Sequence, residues 1–185
     1  AALGLAIAMT AAPATAATYN EGSDFSGAFG SPTAIANGFD TITGNLGTGD
    51  YDFLSFTGLA AGAQTVTLNL AATGGSVFWT GNFRYSTTPF TSNTSGASAG
   101  SIFMYNLGFL GSSLTQSLSF NLGSGFAGTL YLALNLSTGA GASYSLSVPG
   151  NAPVAPVPLP ASALLLAGAV AGLGALRRRG KRAAA

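Results

Sequence analysis

Strict alternation of polar and apolar residues constrains this chain more than any other feature. Gln64-Thr65-Val66-Thr67-Leu68-Asn69-Leu70 places Val66, Leu68 and Leu70 on one face of an extended segment and Thr65, Thr67 and Asn69 on the other. A helix would scatter these side chains around its circumference, whereas a half-buried strand sorts them. The pattern recurs along the chain. Thr115 to Leu122 turns Leu118, Phe120 and Leu122 inward, and Thr129 to Leu136 does the same with Leu130, Leu132, Leu134 and Leu136. Ala142 to Val148 buries Tyr144, Leu146 and Val148, and Val77 to Tyr85 aligns Val77, Trp79, Phe83 and Tyr85 with Arg84 outside. Weaker strands are read at Thr41 to Leu46, Phe53 to Thr57 and Ser101 to Leu107, the last apolar on both faces and without an assigned orientation. Gly- and Ser-rich turns such as Leu59-Ala60-Ala61-Gly62 and Gly123-Ser124-Gly125 separate the runs. The expectation is an all-β sandwich or jelly roll of about eight strands, with no helical period before residue 160. Pro89 to Gly100, the longest polar stretch, reads as a mobile loop.

The β region, residues 17–149, is one domain of ordinary size. Charged residues are 6% of the chain, against about 25% in typical soluble proteins, so its surface must be built from Ser, Thr, Asn and Gly. The five acids Glu21, Asp24, Asp40, Asp50 and Asp52 all lie early in the domain, facing one base, Arg84, for a net charge of −4. No basic patch is available to neutralise phosphates, which excludes nucleic acid as a partner. The chain contains no His and no Cys. That removes Ser-His-Asp and Cys-His nucleophile systems, the usual zinc and copper ligands, and any disulfide, so burial alone must hold the fold. The single lysine, Lys181, lies far from the domain, which therefore has no lysine nucleophile. Glycoside hydrolysis needs only two carboxylates, but no pair here has a burial context legible in sequence, and the chain reads as a non-enzyme.

Both ends differ in character from the domain. Ala1 to Met9 is apolar, and Ala14-Thr15-Ala16 has the small-x-small form of a signal-peptidase site. Residues 1–16 are read as a signal peptide entered partway along, cut after Ala16 or alternatively Ala14. At the other end, residues 150–160 form a proline-rich linker in which Pro156, Pro158 and Pro160 enforce extended backbone. Residues 161–176 carry no charge and read as a single C-terminal transmembrane helix, followed at 177–185 by a basic tail containing Arg177, Arg178, Arg179, Lys181 and Arg182. Sixteen residues reach about 24 Å, short of the roughly 30 Å hydrocarbon core, and snorkelling arginines close part of the gap. The basic cluster holds the tail in the cytoplasm and leaves the domain outside.

Val157-Pro158-Leu159-Pro160-Ala161, followed by the apolar run and the basic cluster, resembles a PEP-CTERM-type sorting signal of the Val-Pro-Leu-Pro-Ala variant. The resemblance covers about 28 residues from Val157 onward. It implies an exosortase-like membrane transpeptidase as partner, a transient inner-membrane anchor, cleavage near the motif, and a destination at the cell surface or in an exopolysaccharide-rich matrix. Ile42-Thr43-Gly44-Asn45-Leu46, Gly49-Asp50-Tyr51-Asp52-Phe53-Leu54-Ser55-Phe56 and Ala61-Gly62 with the strand to Leu70 are together similar to bacterial pre-peptidase C-terminal β-sandwich domains, which favours the sandwich.

No cofactor is required by these residues, and calcium is the ion they admit. Asp50 and Asp52, spaced by two, put both carboxylates on one side of an extended segment, with Asn45, Asp40 or turn carbonyls available to complete an oxygen shell. The competing reading makes them turn-forming surface acids. Asn93-Thr94-Ser95 and Asn135-Leu136-Ser137 match the N-glycosylation pattern, which chance explains in so Ser/Thr/Asn-rich a chain. The functional expectation is an exported structural or adhesive surface protein. The alternative is a carbohydrate-binding module, calcium-assisted, acting on exopolysaccharide. Exposed aromatic rings discriminate between them: Trp79 reads as core, and Phe25, Phe29, Phe90 and Phe109 are the loop candidates.

Overall fold

Leu130, Leu132, Leu134 and Leu136 are fully buried, all on one face of a strand that runs from Thr129 to Thr138. That strand lies inside a sheet and is paired on both sides, as its apolar run requires. The structure, a computed structural model, describes residues 17–108 and 111–151. It contains eleven strands: β1 Ala17–Asn20, β2 Thr33–Ile35, β3 Phe39–Leu46, β4 Asp50–Thr57, β5 Gln64–Ala72, β6 Phe78–Ser86, β7 Ala97–Leu107, β8 Gly111–Ser113, β9 Thr115–Leu122, β10 Thr129–Thr138 and β11 Ala142–Ser147. A 3₁₀ turn, Pro149–Asn151, follows.

The strands form two mixed sheets, ordered β1-β3-β11-β5-β9 and β2-β4-β10-β6-β7-β8. Their inner faces share one core. Ile42, Leu68 and Leu146 from the first sheet pack with Phe56, Trp79, Leu132 and Ile102 from the second. The β1–β3 and β2–β4 pairs are parallel, and every other pair is antiparallel. Apart from the β6-β7-β8 run, each connection carries the chain to the other sheet, so long-range pairing dominates the fold. These strands belong to a compact unit, Thr15–Val154.

The described region is all-β, as the alternation predicts, and each of the eight expected strands is present. Three more, β1, β2 and β8, have only three or four residues, too few to show a period. Val77 is a correction: it is 52% exposed, because the strand begins at Phe78 and Trp79 is the first side chain to reach the core. The stretch 89–100 is a second correction. Its end belongs to β7, and Phe90 is buried against Phe53 and Ala133 in a small cluster on the outer face of the second sheet. Ser95 ties this connection down, its Oγ accepting from the backbone N–H groups of Thr91 and Ser92 at 3.0 and 3.2 Å. The undecided strand resolves as well, with Ile102 and Met104 facing the core and Phe103 facing out.

Trp79 shows how glycine positions one core anchor. Its Nε1 donates to the Gly141 carbonyl at 2.8 Å, and a Cβ at Gly139, where φ is 114°, would overlap the indole. Only glycine lets the β10–β11 turn lie on the ring.

Ala14 and Ala16, the motif Val157, Pro158, Leu159, Pro160 and Ala161, the apolar run, and Arg177, Arg178, Arg179, Lys181 and Arg182 lie outside the described residues. Among the described residues no helix is long and apolar enough to cross a membrane.

Candidate cation site at the seam of the sandwich

Parallel pairing of β1 with β3 delivers the chain after Asn20 to the end of β3, beside the turn that leads into β4. Glu21 continues that path, donating its N–H to the Thr43 carbonyl at 3.0 Å. Its carboxylate is then held by two backbone donors: Phe25 N–H to Oε1 at 3.1 Å and Asn45 N–H to Oε2 at 2.7 Å. Phe25 anchors the segment, buried in the main core and stacked on Tyr19. The chain next passes along β4, where Phe53 N–H donates to the Ser26 carbonyl at 2.9 Å. It then enters β2 in the other sheet. Residues 21–32 thus close one open side of the sandwich.

Asp52 faces this seam from β4. Alternation along β4 turns Asp52, Leu54 and Phe56 inward, and all three are fully buried. Its Oδ2 accepts a 2.7 Å hydrogen bond from the Tyr144 hydroxyl, which reaches across from β11 in the other sheet. Its Oδ1 is buried and has no hydrogen-bond partner. Carboxylate oxygens of Glu21, Asp24 and Asp52 lie within 4.8 Å of one another. Glu21 and Asp24 open onto a surface depression of about 380 Å³ whose rim includes Asn45 and Asp50.

Burial pushes the Asp52 carboxyl up to about 7; the Tyr144 hydrogen bond partly offsets this, while Asp50, Glu21 and Asp24 add to it. Burial, and then the Asp52 charge, pushes the Tyr144 hydroxyl upward, so it remains a donor. A buried carboxylate oxygen facing two further acids requires positive charge beside it. A proton on Oδ1 supplies one unit, and a divalent cation supplies two. The donor set is all oxygen and all anionic, which fits calcium or magnesium and not zinc or copper.

The two acids singled out by their spacing part company here. Asp50 turns back on its own loop, Oδ2 accepting from Gly47 N–H at 3.2 Å and Oδ1 from Tyr51 N–H at 2.8 Å. It forms the β3–β4 turn and borders the depression without joining the close group. Asp52 joins that group but is buried, contrary to its reading as a solvated turn acid, because β4 already begins at Asp50 and carries it inside. Asp40 lies at the opposite end of β3 and bonds Thr41. Sequence reasoning missed Glu21, Asp24 and the Tyr144 hydroxyl. The polar run Asn20-Glu21-Gly22-Ser23-Asp24 was the available signal, but nothing in it foretold a parallel β1–β3 pair.

The proposed loop aromatics also separate. Phe25 and Phe90 are buried, Phe29 is 36% exposed, and Phe109 lies outside the described residues. Trp79 is core, as expected. The large exposed rings are elsewhere, at Phe78 and Phe103 on the outer face of the second sheet. The outer face of the first sheet holds a second, open depression of about 460 Å³ edged by Asn69, Thr115, Ser117, Ser143 and Ser145.

No family model matches the chain, and no curated protein matches it. Among solved structures it is similar to the pre-peptidase C-terminal domain of collagenase from Bacillus anthracis, at 17% identity and TM-score 0.34 over 72% of this chain and 95% of that one. It is similar to Xyl-CBM35, solved in complex with a glucuronic acid containing disaccharide, at 18% identity and TM-score 0.33 over 57% of this chain and 69% of that one. A third likeness is to CBM35 from Cellvibrio japonicus Abf62, at 16% identity and TM-score 0.30, covering 54% and 66% of the two chains.

Proposed function

We propose that the chain is an exported, non-catalytic surface protein whose β-sandwich is a structural or adhesive module stapled by a calcium ion at Glu21, Asp24 and Asp52. The observation that carries the module reading is the buried Asp52 Oδ1, which has no hydrogen-bond partner and lies within 4.8 Å of two other carboxylates. An ion there joins the β1–β2 connection to β4 and, through Tyr144, to the opposite sheet. Backbone carbonyls, Asn45 and water supply the remaining oxygens that calcium takes. Calorimetric titration of residues 15–154 tests this. Calcium heat is expected in the wild type and not in Asp52→Asn or in Glu21→Gln/Asp24→Asn, and silence at millimolar calcium refutes it.

Delivery to the surface is the second part of the proposal. The motif Val157 to Ala161, the apolar run and the basic cluster support release by an exosortase-like transpeptidase into a matrix of exopolysaccharide. The mass of the mature protein on its native cells decides the point. A surface form lacking Leu164 to Arg182 supports sorting, and one retaining them makes the tail a permanent anchor. The absence of His, Cys and any domain lysine supports the non-catalytic reading.

A further inference from the structure

Phe78 and Phe103 lie on the outer face of the second sheet, 44% and 54% exposed. Alternation puts them there, since their neighbours Trp79, Ile102 and Met104 take the core side. Phe78 pairs with Tyr105, and Thr80 with Phe103, so the two phenylalanines sit diagonally across the β6–β7 ladder. Their ring centroids are 6.0 Å apart with planes 29° from parallel, and the ring of Tyr105, which stands opposite Phe78 on β7, lies 6.3 Å from that of Phe103. The result is a platform of three rings on a rigid sheet.

The platform is held in place. Beyond the short β8 the edge of β7 would be open, but Gln116 from the opposite sheet closes it. Its Oε1 accepts from Phe103 N–H at 2.7 Å, and its Nε2 donates to the Ser101 carbonyl at 2.9 Å. A glutamine side chain here does the work of a neighbouring strand.

The surroundings select the occupant. Hydroxyls and amides border the rings on the same face: Thr80, bonded to Thr138 at 2.8 Å, stands opposite Phe103, Ser113 stands opposite Tyr105, and Asn82 and Ser101 pair next along the ladder. No charged residue occurs on β7 or β8. The acids lie on β4, beyond β10 in the sheet order, on β3 in the other sheet and on the β1–β2 connection, and Arg84 is about 20 Å along β6 from Phe78 at 3.3 Å per residue. At about 200 Å² per aromatic side chain, Phe78 and Phe103 together expose about 200 Å² of ring, well below the roughly 800 Å² per partner that a stable dimer buries. A second copy is therefore poorly served, and a narrow, uncharged, hydroxyl-rich chain fits.

We infer that this face binds a neutral polysaccharide, with the ring cluster of Phe78, Phe103 and Tyr105 stacking on its sugar rings and the bordering hydroxyls and amides exchanging hydrogen bonds with theirs. The inference deepens the proposed surface role by naming what the module holds, and it rests on neither the cation site nor the sorting tail.

Affinity electrophoresis of residues 15–154 in gels containing barley β-glucan or hydroxyethylcellulose, with depletion on microcrystalline cellulose and chitin, tests it. Polygalacturonate and phosphatidylcholine vesicles serve as controls. At least one neutral glycan should retain the wild type, and Phe78→Ala/Phe103→Ala should lower the association constant by tenfold or more without moving the melting temperature. Phe78→Tyr/Phe103→Tyr keeps the rings and should keep the binding. Retention by no neutral glycan, retention indifferent to the alanine pair, or selective capture by polygalacturonate or vesicles overturns the inference, as does a sedimenting dimer that the alanine pair dissolves. A surface form that has lost its tail but binds no glycan overturns this inference alone; a retained tail with intact glycan binding overturns the sorting proposal alone.

Discussion

The Tyr144 hydroxyl donates to Asp52 Oδ2 at 2.7 Å, joining β11 of one sheet to β4 of the other between the two layers. Gly44 makes this possible. It sits directly opposite Tyr144 on β3, and a Cβ there would lie 2.6 Å from the phenol ring. The ring lies over the glycine and extends toward Asp52.

Tyr144→Phe removes the donor and leaves a buried carboxyl oxygen without a partner, a loss of about 1–3 kcal/mol. Gly44→Ala should act through the same bond by displacing the ring, and should cost much less when Tyr144 is already Ala. Urea unfolding of the single and double variants checks both statements. Full additivity would separate Gly44 from the hydrogen bond.

Stability should depend on pH through Asp52. Its folded value, about 7, lies above the ordinary aspartate value of 3.8, so between those limits the folded state holds a proton that the unfolded chain releases. This contribution is fully present below about 3.8 and is lost as pH rises through about 7. In chelator, the urea midpoint should fall between pH 5 and pH 8 in the wild type and fall less in Asp52→Asn. Saturating calcium should flatten the wild-type curve, because the ion replaces the proton. An unchanged slope in Asp52→Asn would assign the titration to another group.

Asn151 closes the domain. It is buried, and its Nδ2 donates to the carbonyls of Ala36 and Phe39 at 2.9 and 2.6 Å. Its own carbonyl accepts from Gly38 N–H at 2.8 Å. Asn151→Ala orphans two carbonyls at the β2–β3 connection and should cost about 2 kcal/mol. Asn151→Asp, which replaces the donor with a buried acid, should cost at least as much at neutral pH. Chemical denaturation of both variants measures the difference.

The strands were legible wherever one side of the chain is wet and the other dry. Leu68 and Leu146 declare their face because Thr67, Asn69, Ser145 and Ser147 surround them. The rule weakened where both faces are apolar. On β7 the outward Phe103 looks like core in a sequence window, and nothing local says which side is which. Val77 failed because alternation cannot locate the first residue of a strand. Phe90 failed because its burial depends on Phe53 and Ala133, from β4 and β10, meeting it on an outer face. The acidic site was half legible. Spacing put Asp52 on a defined side of its strand, but its companions Glu21 and Asp24 arrive only through a parallel pairing of a four-residue strand. Asp50, although nearest in sequence, is consumed by its own turn.

Whether calcium sits at the seam is decided by diffraction from crystals of residues 15–154 grown in millimolar calcium. An anomalous peak is expected with Asp52 Oδ1, a Glu21 oxygen and an Asp24 oxygen at about 2.3–2.6 Å and six to eight oxygens in all. A water, or no density, beside Asp52 Oδ1 under those conditions would contradict it and leave a proton as the only charge that this buried acid receives.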